Sequence, residues 1–193
     1  DRTELKERWA EYKLANPKSR IRDDAKALGT SEAELLATGL GTTVQLLDGD
    51  FRELIKEMGS LGHVMALTRN DHVVHERKGV YEKISFNNHV GLVLGEDIDL
   101  RLFLGDWKFG FAVSENERYS LQFFNSFGEA AHKIYLTDKS NKEAYDALAG
   151  KYLAADQDVN LFVTEKKEKV AEPEDVLELD RGAFQQEWLA LKD

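Results

Sequence analysis

Residues 97–107 read DIDLRLFLGDW, and the only cation in this apolar run is Arg101. Side chains of an extended strand alternate between its two faces. Ile98, Leu100, Leu102 and Leu104 therefore share one face, and Asp99, Arg101 and Phe103 share the other. The leucine face is core. The opposite face sets a guanidinium, a donor that stays charged at any ordinary pH, beside an aromatic ring. That pairing suits a site. It also suits a solvated surface on which Arg101 pairs across strands with Asp99 or another acid, an interaction worth little. On residue types alone the surface pairing is the simpler reading.

The five histidines are His63, His72, His75, His89 and His132, and none falls in an HxH, HxxxH or HExxH pattern. His72 and His75 differ by three, so in one strand they point to opposite faces, and no dedicated metal site is expected. A haem iron needs only one protein ligand. His75, in VVHER, is the best internal candidate for that role, against an ordinary edge-strand or surface histidine. The chain has no cysteine, which removes disulfides, thiolate metal sites and cysteine nucleophiles. GLGTT does not extend into a Walker or dinucleotide fingerprint, and there is no GxSxG elbow. Asp and Glu number 36, but spacing singles out no catalytic pair.

A net charge of −10 repels polyanions at long range. The stretch RDDAKALGTSEAEL has the outline of a helix-turn-helix, yet residues 1–40 hold eight basic and eight acidic residues. Its second helix, 31–38, carries Glu32 and Glu34 and no Lys or Arg, whereas contacts to bases and phosphates rely on such cations. No nucleic-acid partner is expected. No apolar run reaches the roughly 18–20 residues that span a bilayer. The opening DRTELKERWAEYK lacks the apolar core of a secretory signal. With no cysteine, these features lead us to expect a cytoplasmic protein that does not span a membrane.

The elements that position Arg101 follow from pattern. Leu5, Trp9 and Tyr12 mark a first helix, which Asn16-Pro17 ends. A second runs from about Ser19 to Leu28 and stops at Gly29. Ser31 with Glu34 forms a capping box for a third. The short apolar stretch TTVQLL follows, and Asp50 caps a fourth helix ending near Gly59. From about 62 to 137 the segments HVMALT, HVVHER, GVYEKISF, VGLVLG, IDLRLFL, KFGFAV, YSLQFF and HKIYLT read as strands joined by Asn-, Asp- and Gly-rich turns. The links are too short for crossover helices, so the sheet should be mostly antiparallel. Ser140 with Glu143 should open a further helix over 141–153.

The expected class is α+β: a large, mostly antiparallel sheet with N-terminal helices and a helix packed on one face. Residues 1–60 form a helical segment that joins the sheet and helix of 61–154 in one globular domain. Residues 155–193 read as a charged linker and the start of a further helix, DRGAFQQEWLALKD, with no stop signal after it.

An ordered set of segments resembles the HemS/ChuS/PhuS family of bacterial cytoplasmic haem-utilisation proteins. These are Asn16-Pro17 with RDDAKALGTSEAEL, GDFRELI, TRNDHVVHE, NNHVGLVL, DLRLFLGDW, SLQFFNSFGEAAHKIYLTD and EWLALKD. The resemblance covers essentially the whole chain. It implies one half of a two-repeat fold about twice this length, with haem, as substrate or cargo, held between sheet and helix. The family's axial histidine would fall immediately beyond Asp193, and its distal arginine maps onto Arg101. In that place the guanidinium would donate hydrogen bonds to water, hydroxide or an oxygen species, or offset propionate charge, and Phe103, on the same face by alternation, would pack on the porphyrin or close the pocket. The implied function is haem binding for haem-iron utilisation, leading to degradation of haem with electrons from an external donor. Two alternatives stay open: a non-catalytic chaperone delivering haem to an oxygenase, and an interaction module. Implied partners are the C-terminal half of the fold, a haem transporter or haem oxygenase, and a second copy in a homodimer.

Overall fold

The computed structural model describes residues 1–69, 74–87 and 90–165. Three short helices lead the chain: α1 (Arg2–Ala15), α2 (Ile21–Leu28) and α3 (Glu32–Ala37). Asp1 caps α1 by accepting from the Thr3 amide, and α2 closes on Gly29, whose φ of 68° is the left-handed conformation that suits glycine. Helix α2 starts at Ile21 after Arg20, later than the expected Ser19, because Ser19 instead donates its hydroxyl to the Asn16 carbonyl. The capping box is present: Ser31 Oγ accepts from the Glu34 amide, and the Glu34 carboxylate accepts from the Ser31 amide.

There follow β1 (Val44–Leu47), α4 (Phe51–Lys56) capped by Asp50, β2 (Gly62–Arg69) and β3 (Val74–Val80). The expected strand GVYEKISF is broken after Val80, and Lys83 takes a positive φ of 46° before the next strand begins. Strands β4 (Ile84–Asn87), β5 (Val90–Leu94) and β6 (Asp99–Leu102) form a separate sheet, order β4-β5-β6. A 3-10 turn, Leu104–Asp106, returns the chain to β7 (Trp107–Glu115), β8 (Arg118–Asn125) and β9 (Ala130–Ser140). The larger sheet has the order β1-β7-β8-β9-β2-β3. Among the described residues every pairing between these strands is antiparallel.

Helix α5 (Lys142–Lys151) closes the globular part. Its cap is Asn141, whose side chain accepts from the Ala144 amide, and not Ser140. Ser140 is still in β9 and donates its hydroxyl to the His63 carbonyl of β2. Beyond α5 the chain stays docked: Gln157 bonds both the amide and the carbonyl of Leu46, and the Thr164 amide donates to Ser126. The expected helix start at 180–193, with most of the expected linker, lies outside the described residues, as do His72 and His89.

The large sheet is buried on both faces. On one side Val64, Ala66, Leu121, Phe123 and Ile134 pack with Val93, Ile98, Leu100 and Leu102 of the small sheet and with Tyr145 and Leu148 of α5. On the other side Phe109, Phe111, Val113 and Phe124 pack with Ala33, Leu36 and Ala37 of α3. Among the described residues no helix is long and apolar enough to cross a membrane.

Candidate functional site

Among the described residues one end of the large sheet is open. There β2 and β8 finish and β7 and β9 begin, with α2 and α3 on one side and β6 with its 3-10 turn on the other. The gap is a cleft of about 940 Å³. That is near the upper end of the roughly 300–1,000 Å³ found for small-molecule and cofactor sites. Arg101, Phe103 and Trp107 line it from the small-sheet side, and Arg22, Lys26 and Ser31 from the helices.

The alternation in DIDLRLFL is realised. Ile98, Leu100, Leu102 and Leu104 are all buried, while Arg101 and Phe103 are exposed. Strand β6 ends at Leu102, and Phe103, at the start of the 3-10 turn, keeps the outward side with 61% of its surface exposed. The expected surface pairing of Arg101 is absent: among the described residues it makes no hydrogen bond or ion pair. An exposed, unpaired guanidinium beside a largely exposed phenylalanine, both lining one cleft, leaves donors and apolar surface available to a ligand. Arg22 and Lys26, one turn apart on α2, add positive charge across the opening.

Two glutamates of the helical wall are engaged within the protein. Glu34 belongs to the capping box, and Glu32 forms a buried ion pair with Lys133 of β9 that fixes α3 to the sheet. Gly128 sits against this helix start with a φ of 72°, and its carbonyl accepts from the Ala33 amide. A Cβ there would lie 2.5 Å from that of Ser31. Glycine is required for both the conformation and the close approach.

Sequence reasoning missed the rings that support Trp107 from behind the cleft, which do not themselves line it. His132 is buried, with Nδ1 3.0 Å from Thr68 Oγ1 and Nε2 2.5 Å from the Tyr81 hydroxyl. Burial drives its pKa down from 6.5 to about 3, a contact with the Leu67 backbone offsetting only part of this, so the ring is neutral at pH 7. Trp107 stacks on His132 at 5.8 Å and on Phe123 at 4.6 Å between ring centroids. The signal for His132 was available, since it shares strand parity with the buried Ile134 and with Leu136. His75 is exposed on the edge strand β3 and is not among the residues lining the cleft. Among the described residues no group of three or more His, Asp or Glu could hold a metal ion.

Fold and cleft together define the class: an α+β domain whose sheet ends in a cavity of ligand size. Residues 29–152 match the family model described as the haemin-degrading HemS.ChuX domain. The chain belongs to the HemS/ChuS/PhuS family. It is 37% identical over 155 residues to the hemin transport protein HemS of Yersinia enterocolitica, covering 78% of this chain and 45% of that one. Among solved structures, apo-PhuS, a heme-binding protein from Pseudomonas aeruginosa, superposes with a TM-score of 0.83 at 39% identity. That match covers 100% of this chain and 57% of PhuS. The heme degrading enzyme ChuS of Escherichia coli O157:H7 gives a TM-score of 0.78 at 31% identity, over 100% of this chain and 56% of ChuS. The chain thus spans about half the length of these relatives.

Proposed function

We propose that the cleft binds haem for haem-iron utilisation, with Arg101 on the open face of the iron and Phe103 against the macrocycle. The observation that carries this reading is the exposed Arg101 guanidinium, unpartnered among the described residues, which shares a ligand-sized cleft with Phe103. Haem is a flat apolar ligand with anionic propionates, and the cleft offers aromatic walls with cations at its rim. The relatives support the reading, since PhuS is described as heme-binding and ChuS as heme degrading. The second half of the family's fold would complete the site and supply the histidine that holds the iron. In the cytoplasm, with an external electron donor, the assembled protein degrades haem. Arg101 then acts by donating hydrogen bonds to the oxygen species on its side of the ring.

A second reading is that haem is only carried, passing between a haem transporter and a haem oxygenase; the description of HemS as a transport protein favours it. Haem-loaded protein incubated with a reductant, dioxygen and catalase separates the two. Loss of the Soret band means degradation, and its persistence means carriage. Haem titration of Arg101→Ala tests the site under either reading. Arg101 is exposed and, among the described residues, unpaired, so the variant should keep its stability to within ~0.5 kcal/mol. Loss of a charge-assisted hydrogen bond, worth about 1.5–3 kcal/mol, should weaken binding about tenfold or more or slow turnover to match. Unchanged titration and unchanged turnover would remove Arg101 from the site.

A further inference from the structure

Trp107 stands on a face of the sheet where strict alternation would not put it. Phe109, Phe111 and Val113 of the same strand face α3, and Trp107 has their parity. Between Trp107 and Phe109 the register with β8 slips, Trp107 opposing Asn125 and Phe109 opposing Phe124. This bulge turns the indole to the opposite face, where it packs with Phe123. A second register shift, between Phe123 and Phe124 of β8, lies at the same end of the sheet, where Ala130 and Ala131 of β9 also line the cleft. Bulges of this kind recur next to binding sites, where they re-aim side chains.

The indole is held flat. Phe123 and His132 are cross-strand partners, so they stand side by side on one face of the sheet. Trp107 lies over both, at interplanar angles of 21° to Phe123 and 22° to His132. His132 is fixed in its turn, because both ring nitrogens are tied, one to Thr68 and one to Tyr81. With these two rings against it, Trp107 stays partly exposed and is among the residues lining the cleft with Arg101 and Phe103.

We propose that Trp107, clamped by Phe123 and by the Thr68–His132–Tyr81 chain, is the stacking platform of the cleft, so that the site recognises the porphyrin plane whether or not the ring carries a metal. The inference rests on the haem reading above and deepens it, by separating recognition of the macrocycle from recognition of the iron. Stacking needs only a flat π-system lying against the indole, a contact that does not depend on the metal. Metal-free porphyrins therefore belong to the ligand class of this cleft, and Trp107 is a specificity-determining residue for planar ligands.

The test titrates the 193-residue chain with haemin and, separately, with metal-free protoporphyrin IX, following porphyrin absorbance and emission. Wild type, Trp107→Leu and Trp107→Phe are compared, each first shown to be folded by circular dichroism and a thermal melt. Wild type should bind both ligands with affinities within about tenfold of each other. Trp107→Leu should lose about tenfold on each, by a common factor, and Trp107→Phe about threefold. Should the leucine variant fail to fold, the phenylalanine variant carries the comparison. Unchanged affinity for metal-free protoporphyrin IX in folded Trp107 variants overturns the platform. Wild type that takes haemin but rejects the metal-free ring overturns plane recognition while leaving the haem reading standing. Wild type that takes neither ligand overturns the platform, whereas the haem reading, which includes the second half of the fold, falls only if the two-half protein also fails to bind haemin.

Discussion

Lowering the pH from 7 to 5 should destabilise the fold, and His132 is the residue through which most of that loss occurs. In the folded protein its ring is 1% exposed and its pKa is driven down from 6.5 to about 3 by burial. The unfolded chain titrates near the ordinary value of about 6.5. A group whose folded pKa lies below its unfolded one contributes stability that is complete above the unfolded value. That stability is lost as the pH falls towards the folded value. Between those limits the unfolded chain binds a proton that the native state refuses, and the slope is about 1.4 kcal/mol per pH unit. Integrated from pH 7 to pH 5, the loss is about 2 kcal/mol. Against a typical domain stability of ~5–15 kcal/mol, that is readily measured.

Urea denaturation at pH 7, 6 and 5 supplies the assay, with His132→Gln as the comparison. Glutamine offers a donor and an acceptor to Thr68 and Tyr81 but does not titrate. The variant will be less stable at every pH, and the informative quantity is how the difference between the two proteins changes. It should shrink by about 2 kcal/mol on going from pH 7 to 5. The two depressed carboxyls do not confuse this window. Asp24 is desolvated, but Ser19, Trp9 and Lys13 outweigh that cost and lower its pKa, and Glu57 is lowered chiefly by its hydrogen bond from Lys151. Stability from depressed carboxyls is lost only as the pH falls through and below the ordinary carboxylate range of about 4. Parallel losses in the two proteins, within ~0.5 kcal/mol across the series, would refute the burial argument and imply that water reaches the His132 ring.

Removing one partner of the buried Glu32–Lys133 pair should be costly. Lys133→Met leaves a carboxylate of which only 7% is exposed without its cation, with an expected loss of ~3–5 kcal/mol in urea midpoint analysis. Adding Glu32→Leu should recover most of it, and no recovery would mean that the pair is not the cause. Gly128→Ala forces alanine into a φ of 72° and a Cβ to within 2.3 Å of Ser31 Oγ, so a loss of more than ~1 kcal/mol is expected. Ser31→Gly introduced beside it should return part of that stability, and equal melting temperatures for the single and double variants would refute the clash.

Much of the helical wall could be read in advance because it follows from local chemistry. A serine three residues before a glutamate makes a capping box wherever a helix starts, and Ser31 with Glu34 does so here. The outward placement of Arg101 was equally legible, since four apolar residues of one parity can only be the buried face. Where local chemistry offered two solutions, the sequence did not decide between them. Ser140 and the adjacent Asn141 are both good caps, and the choice fell to Asn141 because β9 continues one residue further and ties Ser140 to His63. The division into two sheets was hidden for a similar reason. GVYEKISF has the composition of one strand, and only packing shows that Tyr81 leaves the ladder to meet His132.

Trp107 marks the limit of alternation as a guide. Parity assigns it to the face of Phe109 and Phe111, and a single extra residue in the register moves it to the other. Nothing in DWKFGF announces that slip, because a bulge is set by how two strands pair and not by the residues of one. Arg101 and Trp107 therefore reach the same cleft by different routes. Arg101 is presented by an unbroken alternation and Trp107 by a broken one. The break works only because something waits on the far face to receive the indole, namely Phe123 and the His132 ring tethered from both nitrogens. Trp107 thus lines the same cleft as Arg101, which is unpaired among the described residues, through a pairing of strands distant in sequence that no motif announces.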